Sequence, residues 1–291
     1  MPASSPWWKS SVAPRRARRS RPRGLLHRRD SGEPRPRRRR PGLATIAALA
    51  LAGAACDSIL GPTTPDANWN VRDTTRFTFH VRPGSFAEQN VSTLGAVLED
   101  QYDVTLSTLG LQYSGRIYTF LYDSASDGDL PSDHSGVAYP ATATLRAVCV
   151  PPLDGNLFGL LSHEANHVIL RNGLGRPGTS FVNEGLASAV LSERFGAFGP
   201  SFLYAWTRIN ADAIPPLAEL ADDDKWSGFP QDVAYNASAS FLAYLIETSG
   251  PDRLRQLYYA RSDAFAPRFQ EIYGRSLETA EAEWKAFCAS R

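Results

Sequence analysis

Cysteine is scarce in this chain, with 3 residues among 291. So few cysteines exclude the dense disulfide framework of small secreted domains. The sequence has no internal repeat, which excludes a repeat array. Apart from one short apolar run, it has no segment that could span a membrane. The chain must therefore bury an ordinary hydrophobic core, and the roughly 220 residues of its C-terminal part suffice for one core or two lobes.

Positive charge is concentrated in residues 1–42. This tail carries 14 basic and 2 acidic side chains, whereas the rest of the chain carries 17 basic and 28 acidic ones. The tail is rich in Pro and Arg and has too few apolar residues to offset its ordering entropy, so we predict that it is disordered. An Arg-rich arm can bind nucleic acid or an anionic membrane. We favour two simpler explanations, a signal n-region removed on export or a translation start further downstream.

A short apolar run, LATIAALALAGAAC, follows the tail at residues 43–56. A basic region, a short apolar core and a small-residue end are typical of a secretory signal peptide. Cys56 directly after LAGAA indicates a bacterial lipoprotein with a lipid anchor on this residue. Gly53 stands where such signals usually have Leu, so plain secretion stays open. We therefore expect an exported protein, either a membrane-anchored lipoprotein at the periplasmic or cell surface or a secreted one, with no nucleic acid bound to the mature form.

The other two cysteines allow two interpretations. If Cys56 carries a lipid, Cys149 and Cys288 remain, and an oxidising compartment would let them form a disulfide. Two buried free thiols fit the sequence equally well.

The remaining sequence predicts an α+β fold. A polar linker at residues 57–72 leads into a domain at residues 73–290. Alternating apolar residues predict strands at 76–82 and 116–123 and a hairpin or strand pair within 137–150. This small mixed sheet forms an N-terminal lobe with one helix, and an all-helical C-terminal lobe follows. Helical periodicity, caps and breakers predict helices over 87–110, 156–171, 181–195, 200–213, 231–249, 251–260 and 276–289.

The stretch GLLSHEANHVIL carries two of the five histidines, His163 and His167. Residues four apart lie on one face of a helix, so both imidazoles can reach one tetrahedral Zn²⁺. Glu164, turned about 100° from His163, can act as a general base on a metal-activated water. Glu184 opens the next predicted helix, and it completes the three ligands that a catalytic zinc needs. A solvated helical face tolerates His and Glu as well, and the helix dipole also explains a glutamate near a helix start.

These residues resemble those of a known family. HEANH followed by NEG on the next helix resembles the gluzincin metallopeptidases, both thermolysin-like and aminopeptidase-like. More closely, the region over residues 73–290 resembles the peptidase-MA-like domain of bacterial lipoproteins and secreted proteins. The matching segments are RIYTFLYDS, HEANH, NEGLA, DVAYNASASFLAYLIETSGPDRL and YGRSLETAEAEWKAF.

The resemblance implies zinc on His163, His167 and Glu184, with Glu164 as general base. It also implies that Tyr235, in AYNASASFLAYL, hydrogen-bonds to the oxyanion. Tyr235 can instead pack in an aromatic-rich helix, as we expect of Phe241 and Tyr244.

The sequence departs from the family at two places. The glycine-rich G-x-M-E-N strand of the aminopeptidases is missing, so an aminopeptidase is not supported. Thermolysin-like enzymes have a Ser-Asp pair after the ligand glutamate, where this chain has Ala187 and Ser188. His134 can serve as another donor, although a solvated loop histidine explains it too, and we expect His80 to be only a strand residue.

The sequence thus predicts a zinc metallopeptidase that hydrolyses peptide bonds outside the cytoplasm. Its partner would be a peptide or protein substrate, held by edge pairing along the strand near 143–150. The alternative is a catalytically silent, zinc-binding surface lipoprotein that acts as a binding module.

Overall fold

The computed structural model describes residues 68–128, 130–131, 134–195 and 198–291. The predicted tail (1–42), the signal segment (43–56) with Cys56, and residues 57–67 of the predicted linker lie outside these ranges. The last part of the linker is not a tether, because Asn70–Asp73 forms a strand that pairs with its neighbour.

Five strands of the described part form one mixed sheet, in the order β1-β2-β3-β5-β4. The neighbours β2, β3 and β5 run parallel, whereas β1 and β4 pair antiparallel at the two edges. The strands are β1 (Asn70–Asp73), β2 (Phe77–Val81), β3 (Ile117–Tyr122), β4 (Gly136–Tyr139) and β5 (Thr144–Val148). The predictions of both single strands and of a strand pair within 137–150 are confirmed.

The rest of the described chain is mostly helical. The first two long helices follow β2 and β5, and the others form the C-terminal part. The helices are α1 (Phe86–Leu109), α2 (Gly155–Leu174), α3 (Ser180–Ala189), α4 (Pro200–Asn210), α5 (Leu217–Leu220), α6 (Asp223–Trp226), α7 (Gln231–Ser249), α8 (Pro251–Leu257), α9 (Phe265–Tyr273) and α10 (Leu277–Ala289). The chain is therefore α+β, with a small sheet and a mostly helical remainder, as the sequence predicts.

Helix α2 carries the HEANH motif, and its start differs from the prediction. The cap is Asp154 rather than Asn156, because the Asp154 carboxylate accepts hydrogen bonds from the backbone N–H groups of Asn156 and Leu157. The helix also passes through Asn172 and ends at Gly175, whose φ of 93° an L side chain rarely adopts.

Apolar side chains fix α2 against the sheet. Leu161, Ala165 and Val168 are fully buried in a cluster with α1 and the strands. Because α2 buries this stripe against the sheet, its opposite side is left for the histidines.

The C-terminal helices enclose a second cluster, centred on Phe241 of α7 and Trp284 of α10. The sequence analysis missed three of these helices, α5, α6 and α9. It also extended α3 too far, since α3 ends at Ala189 and a short 3-10 turn follows at Glu193–Phe195. None of the described helices is both long and apolar enough to cross a bilayer.

Both cysteines of the described part are free thiols. Cys149 lies in the core cluster beside the sheet, and Cys288 lies in the cluster of the C-terminal helices. Burial raises the pKa of both thiols, that of Cys149 to about 12. Of the two interpretations of the sequence, the structure has the buried thiols and not the disulfide.

Candidate metal centre

Helices α2 and α3 bring His163, His167 and Glu184 together. The two Nε2 atoms are 3.0 Å apart, and Glu184 Oε2 lies 3.3 Å from that of His163 and 3.2 Å from that of His167. All three residues are half-buried. The sequence prediction that these three side chains converge agrees with this geometry.

Ser188 contacts the outer nitrogen of one imidazole. Its Oγ lies 2.9 Å from His163 Nδ1, on the side of the ring away from Glu184. A proton on Nδ1 donated to Ser188 leaves the Nε2 lone pair directed at the cluster, the tautomer a metal ligand needs. Sequence reasoning left Ser188 without a role, although it follows Glu184 by four residues and so lies on the same helical face.

Asn183 links the carboxylate to the second imidazole. Its amide nitrogen donates to Glu184 Oε1 over 2.8 Å, and its side chain also hydrogen-bonds to His167. Asn183 belongs to the NEG motif, yet the sequence analysis assigned it no function. Asn183 and Ser188, both on α3, therefore hold the Glu184 carboxylate and the two imidazoles in place.

The charges of the imidazoles and of the Glu184 carboxylate complement one another. Burial alone would raise the pKa of Glu184, but the charge of His167 and hydrogen bonds from both imidazoles hold it well below its usual value. Burial would lower the pKa of His167, but the Glu184 charge raises it to about 9.

Glu164 lies beside the cluster and is 8% exposed. Burial raises the pKa of its carboxyl group, against the charges of His163 and His167, which lower it. A Cβ atom at Gly136 of β4 would lie 3.0 Å from Glu164 Cγ and 3.3 Å from Oε1. Glycine thus lets an edge strand run directly past the proposed general base.

Tyr235 stands near the start of α7, and its ring centroid is 6.1 Å from that of His163. It is half-buried, and Trp226 packs on it with ring centroids 5.8 Å apart. Phe241 and Tyr244 of the same helix are buried in the core instead, as predicted. Of the three aromatic residues in this segment, Tyr235 thus lies beside His163, whereas Phe241 and Tyr244 are buried.

The sequence prediction that a substrate pairs with an edge strand near residues 143–150 is wrong. Strand β5 lies between β3 and β4 and has a hydrogen-bonded neighbour on each side. The free edge on this side of the described sheet belongs to β4. Strand β5 follows β4 in the chain but pairs between β3 and β4, so β4 is left at the edge.

The remaining two histidines of the described part differ in environment. His134 is exposed in the loop before β4. His80 stacks on Phe120 across the sheet with ring centroids 4.3 Å apart, as a strand residue.

The donor set fits a zinc ion. Three atoms bound to one tetrahedral zinc at about 2.0–2.2 Å are roughly 3.3–3.6 Å apart. The three separations of 3.0, 3.2 and 3.3 Å in the cluster lie at or slightly below this spacing. Two imidazoles and one carboxylate also leave a fourth position free.

Gly185 allows α3 to pack closely on α7. A Cβ atom there would lie 2.8 Å from Ser238 Cβ and 3.0 Å from Leu242 Cδ1, closer than real contacts. We expect Gly185→Ala to lower the free energy of unfolding by about 1–3 kcal/mol through overpacking, measured by denaturant unfolding. Ser238→Gly in the same chain removes the contact with Ser238 and leaves only that with Leu242, so the pair should be less destabilised than the sum of the single variants. Additive effects would contradict the contact.

No known protein family matches the chain, and no curated protein matches it. Among solved structures, the chain is similar to native leukotriene A4 hydrolase from Saccharomyces cerevisiae, with 14% sequence identity and a TM-score of 0.47. The similarity covers 71% of this chain and 36% of that enzyme, so the chain spans about a third of its length. A likeness this distant assigns neither a family nor an activity.

Proposed function

We propose that this chain is a zinc-dependent metallopeptidase of the gluzincin type that hydrolyses peptide bonds. The observation that carries the proposal is the convergence of His163 Nε2, His167 Nε2 and Glu184 Oε2 within 3.0–3.3 Å of one another. Such a donor set is typical of catalytic zinc sites with an open position. Glu164, a buried carboxylate beside the set, adds the base that a purely structural zinc site does not need.

His163, His167 and Glu184 would hold the metal, which when bound supplies a Lewis acid and lowers the pKa of a nearby water. Glu164 accepts the proton of the attacking water and passes it to the leaving amine. Burial, which raises the pKa of the Glu164 carboxyl group, favours acceptance of the proton from the water.

Tyr235 is positioned to serve the same reaction. We propose that its phenol donates a hydrogen bond to the oxygen of the tetrahedral intermediate, where negative charge develops. The support is its place beside His163, with ring centroids 6.1 Å apart, and its half-buried side chain. Trp226 packs against the ring and limits its movement.

Strand β4 is the proposed guide for an extended peptide. Ser135 accepts a hydrogen bond from the Val148 N–H, so alternation in the antiparallel ladder directs the backbone groups of Gly136 and Ala138 away from β5. A substrate strand that pairs with these groups would pass next to Glu164. This assignment replaces the edge pairing that the sequence suggested for residues 143–150.

We further propose that the enzyme acts outside the cytoplasm, as a lipoprotein anchored through Cys56 or as a secreted protein. The support is the basic region followed by the apolar segment at 43–56.

The proposal is tested with the full chain and a mixed peptide library, with products identified by mass spectrometry. We expect hydrolysis in the zinc-loaded protein, loss of hydrolysis on treatment with a zinc chelator, and recovery on addition of zinc. Zinc binding without any product would contradict the peptidase and favour the silent binding module. Product formation that survives complete removal of the metal would contradict the metal-dependent mechanism.

A further inference from the structure

A buried polar cluster joins α1 to the two helices that carry the candidate metal ligands. Its members are Gln101 and Thr105 of α1 and Asn166 of α2, and none of the three is exposed. Thr105 Oγ1 donates to Asn166 Oδ1 over 2.7 Å, and Gln101 Nε2 contacts the same oxygen at 3.3 Å. The Asn166 amide nitrogen donates to the Ala187 carbonyl of α3 over 2.7 Å. We call these three side chains the amide cluster.

Gln101 also holds the end of α3 directly. Its Nε2 donates to the Val190 carbonyl over 2.9 Å, and its Oε1 accepts from the Ser192 N–H over 3.0 Å. Backbone groups at the end of a helix lack helical partners, and here a side chain of α1 supplies them. Helix α1 therefore binds α3 both directly and through Asn166 of α2.

The cluster connects the backbone segments that carry the ligands. Asn166 directly precedes His167, and its acceptor Ala187 follows Glu184 by three residues. The hydrogen bond between them thus lies one turn or less from two of the three ligands. Together with the contact between Ser188 and His163, it joins α2 to the part of α3 after Glu184.

Stability alone does not require polar residues at these positions. Burying an amide or a hydroxyl costs free energy that its hydrogen bonds only offset, and apolar side chains of the same shape can fill such a space with nearly equal stability. What a satisfied buried polar network adds is a defined geometry between the elements that it joins.

We propose that the amide cluster is a positioning device for the metal centre. It fixes the separation of α2 and α3, so that the imidazoles and the carboxylate converge before a metal arrives. Gln101, Thr105 and Asn166 contact neither metal nor substrate and act through His167 and Glu184. The inference rests on the proposed function, because it takes these two residues to be zinc ligands. Without the cluster, part of the binding free energy goes into ordering the ligands, which lowers zinc affinity.

The test is a zinc competition titration on the full chain with a chromogenic chelator. We expect Thr105→Val and Gln101→Leu each to weaken zinc binding about tenfold, the lower end of the range for residues that orient ligands. Thr105→Ser keeps the hydroxyl and should restore the affinity. Thr207→Val is the matched control, because this threonine is equally buried and donates to Ser240 over 2.7 Å within the C-terminal helices.

Thermal melts of the metal-free variants separate positioning from stability. We expect Thr105→Val and Thr207→Val to lose comparable stability, while only the former loses zinc affinity. Unchanged affinity in both folded cluster variants would overturn the inference and leave the proposed function intact. An equal loss in Thr207→Val would overturn it as well. If Gln101→Leu does not fold, the zinc affinity of Thr105→Val alone tests the inference. If the wild-type chain binds no zinc, the proposed function fails and the inference with it.

Discussion

Replacement of Glu164 by Gln is expected to reduce peptide hydrolysis about 10²- to 10⁴-fold, the usual contribution of a positioned general base. The amide has nearly the same shape as the buried carboxylate and fits beside Gly136 in the same way. It cannot accept the proton of the attacking water, so the loss should appear in kcat. Steady-state kinetics on one cleaved peptide from the library measure it.

Zinc content distinguishes this effect from damage to the site. Glu164 is not one of the three converging ligands, so Glu164→Gln should bind zinc as the wild-type chain does. Glu99→Gln is the matched control, since Glu99 of α1 is not among the converging residues and accepts hydrogen bonds from the Thr74 hydroxyl and the Arg76 backbone N–H. Equal rates for Glu164→Gln and wild type would refute Glu164 as the base.

Replacement of Glu184 by Ala is expected to weaken zinc binding by more than about 100-fold, beyond the usual effect of residues that only orient ligands. It removes one of three protein ligands and leaves two imidazoles that lack their acidic partner. Hydrolysis at limiting zinc should fall with it. Competition titration and the rise of the melting temperature on zinc addition measure the change, because a ligand that binds only the folded state stabilises it.

Glu281→Ala is the control for this substitution. The Glu281 side chain is 17% exposed against 18% for Glu184, and it too carries a salt bridge, to Lys285. It lies on α10, away from α2 and α3. A zinc-dependent rise of the melting temperature that persists in Glu184→Ala would contradict the assignment of Glu184 as a ligand.

Local patterns predicted that His163, His167 and Glu184 converge, because the spacing that brings them together is local. Two histidines four residues apart must lie on one helical face, and Glu184 opens the next helix. A short connection is enough for the next helix to return antiparallel and to bring the Glu184 carboxylate to the histidines. The same spacing rule also applies to Ser188. It follows Glu184 by one turn, so it lies on the same face of α3, which contacts His163.

Long-range pairing was beyond the sequence. No local sequence pattern indicates that β5 pairs between β3 and β4. The free edge was therefore assigned to the wrong strand. The contacts that the α1 members of the amide cluster make with α2 and with the end of α3 join residues 61–91 positions apart, from Thr105 to Asn166 and from Gln101 to Ser192. A single sequence does not show which buried amides meet.

The cap of α2 illustrates a smaller error. Asp154 and Asn156 are both good capping residues, and propensity does not choose between them. The structure selects Asp154, whose carboxylate reaches two backbone N–H groups at once.

The central claim is that one zinc ion binds between α2 and α3. Crystals of the full chain grown with zinc, measured at the zinc absorption edge, test it most directly. The account predicts one strong anomalous peak within about 2.0–2.2 Å of His163 Nε2, His167 Nε2 and a Glu184 carboxylate oxygen. A zinc peak elsewhere on the protein, with the three side chains still held together by their own hydrogen bonds, would contradict it.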